Sequence, residues 1–70
     1  MQTKYLIVIE QTPNNLSAFC PDLPGCVATG ATRAEVEVRM REAIRMHLDG
    51  MQEDGEPIPA PSCVADYVQA

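Results

Sequence analysis

Seventy residues allow one domain and a small core, and the net charge of −5, from 10 acidic and 5 basic residues, argues against a stand-alone nucleic-acid binder, which gains affinity by neutralising phosphates. The hydrophobic share of 46% is that of a folded chain rather than a disordered tail. No apolar run approaches the roughly 20 residues of a membrane span, and the start lacks a signal-peptide pattern, so the expected compartment is the cytoplasm.

Residues 4–10, "KYLIVIE", are rich in β-branched and aromatic side chains and read as a strand. Tyr5, Ile7 and Ile9 share one side, Leu6 and Val8 the other, a pattern that predicts a central strand covered on both faces. "QTPNN", residues 11–15, is turn chemistry. "LSAFC" (16–20) and "CVATG" (26–30) read as two further strands, joined by short loops into an antiparallel meander.

A helix follows. Thr32 with Glu35 three residues on forms a T-x-x-E capping box. Val36, Met40, Ala43, Ile44, His47, Leu48 and Met51 recur at helical spacing as one apolar stripe, with Val38 off it. Glu35–Arg39 and Glu37–Arg41 are i,i+4 pairs on the solvent side. Gly55 is the expected terminator, because Pro57, Pro59 and Pro61 cannot continue a helix. "EPIPAPS" (56–62) reads as a stiff connector and "CVADYVQA" (63–70) as a fourth strand. The helix and connector are long enough for a right-handed crossover, so a βββαβ sheet in the order 3-2-1-4 is expected. One helix covers only one face, so the other face keeps apolar side chains, the mark of an interface. A core of this size supplies only about 3–5 kcal/mol, which also points to a homodimer or higher oligomer.

The residues that could carry chemistry do not form a familiar site. Cys20 and Cys26 lack the tight spacing of a zinc knuckle, and Cys63 and His47 would have to complete it. A C-x-x-C redox pair is absent, and buried thiols are the favoured reading of Cys20 and Cys26, with a disulfide the other. Glu10, Asp22 and Glu42 could be imagined around magnesium, but the expectation is no catalytic, metal-binding or cofactor-binding residue. Arg33, Arg39, Arg41 and Arg45 alternate with glutamates, as on a solvated helix face.

The strings "FCPDLPGCVATG", "ATRAEVEVRMREAIRMHLDGM" and "EDGEPIPAPS" together resemble the HicB-like antitoxin family over residues 4–68. The resemblance implies an α+β, two-layer, partial RNase H-like βββαβ domain with a four-stranded mixed sheet and one helix. It also implies a protein-binding role: covering the active or RNA-contacting surface of a small basic HicA-like ribonuclease toxin, without enzymatic activity, direct nucleic-acid contact or membrane attachment. Many family members carry a C-terminal DNA-binding domain, and this sequence reads as the antitoxin domain alone, over residues 1–70. The candidate contact is the proline loop: Asp22, Leu23, Pro24 and Gly25. The alternatives are a metal-dependent RNase H-like nuclease using Glu10, Asp22 or Glu42, and a self-associating structural domain.

Overall fold

The computed structural model describes residues 4–70. Its elements are β1 (Val8–Gln11), β2 (Leu16–Phe19), β3 (Val27–Gly30) and α1 (Arg33–Glu53). The strands form an antiparallel meander in the order β1-β2-β3. Val8 stands opposite Phe19, which stands opposite Val27; Ile9, Ala18 and Ala28 form the next row. The first turn is held by Thr12, whose hydroxyl accepts from the Asn14 and Asn15 amides while its own N–H donates to Asn15 O at 2.8 Å.

The helix begins and ends where its residues require. Thr32 is extended, and its Oγ1 accepts from the Glu35 amide at 3.2 Å, satisfying one of the orphan donors of the first turn. At the other end Gly55 takes φ +72°, its N–H donates to Gln52 O, and the Glu56 N–H reaches back to Met51 O. Those two bonds are the Schellman arrangement, which needs a residue free to turn left-handed.

Helix and sheet meet over Ala18, Cys20, Leu23, Cys26, Val36 and Met40, all buried. Ile9, Leu16, Ala28, Ala43, Ile44, Leu48 and Met51 pack around them, so the apolar stripe faces the sheet as its spacing predicts. Val38, off that stripe, is half exposed. The contact is closest at Gly30, where a Cβ would lie 2.9 Å from Val36 Cγ2. The absence of a side chain there lets the first turn of α1 settle onto β3.

The sheet is where expectation and structure part. The four-stranded mixed sheet of order 3-2-1-4, and with it the partial RNase H-like βββαβ architecture, is not formed. The chain is a βββα unit, and β1 is an edge strand rather than a central one. Residues 63–70 carry strand-like side chains but join no strand among the described residues and are exposed. The cause lies in the connector. Pro57, Pro59 and Pro61 have no N–H to offer a sheet. The segment is also tied down early: Tyr5 Oη donates to Pro59 O, and Ser62 is fastened to Asp22. The last residues therefore leave beside the β2–β3 loop.

Candidate partner-binding surface

The proline loop is two successive turns. Leu23 N–H donates to Cys20 O and Cys26 N–H donates to Leu23 O, both at 3.1 Å. Pro21 and Pro24 supply the fixed φ at the second position of each turn. Gly25, at φ +84°, supplies the left-handed residue that a Pro-Gly type II turn demands. Below the turns Cys20 N–H donates to Cys26 O at 3.1 Å and closes the hairpin.

Of the four residues named as a contact, the loop separates three from one. Pro24 and Gly25 are exposed and Asp22 is half-buried, whereas Leu23 is 1% exposed and is one of the largest fully buried side chains. Leu23 is thus a core anchor between two turns, not part of an outward tip. Its place could have been suspected from the sequence, since a lone Leu between two Pro-initiated turns has one face of the loop to itself.

Asp22 has a partner forty residues away. Its Oδ1 accepts from Ser62 Oγ at 2.7 Å, and its Oδ2 from the Ser62 and Cys63 amides at 3.2 and 3.4 Å. The hydroxyl and amide of Ser62 hold the Asp22 carboxyl below its ordinary range. Cys63 Sγ lies 3.5 Å from Asp22 Oδ1, and desolvation together with this carboxylate raises its thiol, which stays protonated and can donate. No local pattern announces this clasp, because its halves are distant in sequence.

Cys20 and Cys26 are buried free thiols, and burial together with the neighbouring Cys20 raises Cys26. Among the described residues no three His, Cys, Asp or Glu side chains converge on a possible metal position. Glu10 lies on β1, Asp22 in the loop beyond β2 and Glu42 exposed on α1, so the acids of the nuclease reading are not gathered.

The sheet face turned from the helix is of another kind. Cross-strand neighbours share a face, so Val8, Phe19 and Val27 form one row on it. Phe19 is 39% and Val27 62% exposed. The next row is Glu10, Ser17 and Thr29, giving one carboxylate and no cation. The expectation of an uncovered apolar face rested on β1; Phe19 and Val27 extend it across all three strands.

These features define a class of protein: a small α+β module with a proline hairpin, an uncovered apolar sheet face and an acidic balance. A family model described as "HicB_like antitoxin of bacterial toxin-antitoxin system" matches residues 5–70, and the chain belongs to that family. Among solved structures it is similar to a chain of a "HicA3 and HicB3 toxin-antitoxin complex", with a TM-score of 0.72 and 30% identity, over 86% of this chain and 70% of that one. An uncharacterised 14.9 kDa protein of Haemophilus phage HP1 is 36% identical over 91% of this chain, which spans 48% of that relative's length. A UPF0150 protein of Thermoplasma acidophilum is 32% identical over 80% of this chain and 83% of its own. No helix among the described residues is long and apolar enough to cross a membrane.

Proposed function

We propose that this chain is a non-enzymatic antitoxin module that neutralises a HicA-like ribonuclease toxin in the cytoplasm by covering its active or RNA-binding surface. The observation that carries the reading is the likeness of fold, at 30% identity, to a chain of a solved toxin–antitoxin complex. The net charge of −5 supports it, because an acidic chain steers a basic partner into encounter and discourages nucleic acid as a competitor.

The contact surface we assign is the sheet face of Val8, Phe19 and Val27, bordered by the exposed residues Pro24 and Gly25 of the proline loop. Apolar side chains in this patch lose water on docking, and the rigid loop pays little ordering entropy. Asp22 acts on the contact from within, by holding the loop to the connector. The test is co-expression with a HicA-like toxin. Wild type restores growth and co-purifies with it, and Phe19→Asp with Val27→Asp loses both while keeping the native circular dichroism spectrum. Failure of the wild type to do either removes the reading.

A further inference from the structure

The sheet face turned from the helix has an internal symmetry that its register reveals. Phe19 stands in the middle of its row, between Val8 on β1 and Val27 on β3. The next row runs Glu10, Ser17, Thr29, with its acid on β1. One helix covers one face, so only a second layer closes the other. Two sheets stack about 10 Å apart with their strands nearly aligned.

Identical copies meet about a two-fold axis, with the same patch on each. This sheet has two aligned ways to do so. An axis across the strands lays each strand on its own counterpart, reversed, and leaves Glu10 two strands away from the partner's Arg39. An axis along the strands lays β1 over the partner's β3. Phe19 then meets the partner's Phe19 at the axis, Val8 meets the partner's Val27, and Glu10 stands over the partner's Thr29.

That last position is where the cation lies. In each copy the Arg39 guanidinium donates to Thr29 O at 2.8 Å and is held by Glu35 at 2.6 Å. A guanidinium has more N–H donors than those two bonds use, so it can take a second carboxylate. Asp22, in the loop beyond Phe19, is turned instead to Ser62 and Cys63.

We propose that two copies of this chain stack by these faces, β1 over β3, with Glu10 of each paired to the partner's Arg39. Three four-residue strands about 4.8 Å apart make a patch at the low end of interface sizes, so the dimer is weak and exchanges. It follows from the register and charges of this chain and does not rest on the toxin reading. It uses the surface assigned to the toxin, so the toxin and the second copy exclude each other.

The experiment is sedimentation equilibrium of the full chain under reductant, at concentrations up to about 1 mM. Wild type should be dimeric at the top of that range. Phe19→Asp, which sets two like charges together at the axis, should weaken the dimer about tenfold or more. Glu10→Arg and Arg39→Glu should each weaken it about fivefold, and the two together should recover most of that loss. All three positions are exposed, and circular dichroism confirms that each variant is folded. A chain that is monomeric throughout overturns the proposal, including one that pairs only with the toxin. So does a dimer that Phe19→Asp leaves intact, or a charge exchange that recovers nothing. A wild type that dimerises here but fails the co-expression test removes the toxin reading alone.

Discussion

The two edges of this sheet are built from similar residues and end in opposite states. At β3 the Arg39 guanidinium donates to the outward Thr29 carbonyl at 2.8 Å and is itself held by Glu35 at 2.6 Å. The helix lies over β3 and β2, and Gly30 lets it approach until Val36 is buried. At β1 no such bond forms among the described residues, and a trough of about 440 Å³ separates α1 from Tyr5 and Ile7, which lead into the strand. An edge is closed not by the strand's own propensity but by what the next element sends back to it. Here that is one arginine and one missing Cβ, both on the β3 side.

This contrast can be broken from either side. The largest expected effect is at Leu23, under the closed side: Leu23→Ala should cost about 2–5 kcal/mol in denaturant unfolding, through the cavity it leaves. Ile7→Ala, at the half-buried floor of the open side, should cost less, about 1–2 kcal/mol. Equal losses at the two positions would mean the edges are equally well packed. Gly30→Val comes next. Its side chain must displace Val36, whose N also lies within 3.1 Å of the new Cβ, and the expected loss is about 1–3 kcal/mol in thermal or urea unfolding. Arg39→Ala should remove about 0.5–1.5 kcal/mol and speed exchange around Thr29, whereas Arg41→Ala should stay within about 0.5 kcal/mol.

The smallest effect is set by pH at the Asp22 clasp. Its carboxyl is held lower in the folded chain than in the unfolded one, so its contribution is complete above the ordinary carboxylate range. It is lost as pH falls through the folded-state value. The protection of the Ser62 and Cys63 amides, taken against the intrinsic exchange rate at each pH, should therefore fall only in acid, and Asp22→Ala should abolish that dependence while leaving β2 and β3 unchanged.

Local physics made much of this legible. The strands at residues 16–20 and 26–30 were readable as short, largely apolar runs bounded by turn residues. The N-cap at Thr32 and the stop at Gly55 were readable because caps act over three or four positions, although the Glu35 carboxylate pairs with Arg39 rather than completing the capping box. The apolar stripe from Val36 to Met51 was readable because helical periodicity is exact enough to name a face. What escaped was non-local. Nothing within a few residues of Asp22 points to Ser62, and nothing in "CVADYVQA" says that the preceding connector will be pinned elsewhere. A strand-like sequence is only half of a strand; the other half is an edge it can reach. Leu23 was misplaced for a related reason, since a loop rich in proline and glycine reads as surface even when its middle residue is core. Of the candidate contact, Pro24 and Gly25 stand outward as a hairpin tip would, and the apolar row of Phe19 and Val27 needed the register to be seen.

The clasp between Asp22 and Ser62 also orders events in time. The two hairpins and the helix close over short stretches of chain, whereas the clasp joins residues 40 apart, enclosing β3, the whole of α1 and the connector. Contacts that close long loops must wait for the intervening elements to form. Being solvent-exposed, this one is also cheap to open. The connector should therefore dock last during folding and detach first under mild denaturant, well before the sheet and helix give way.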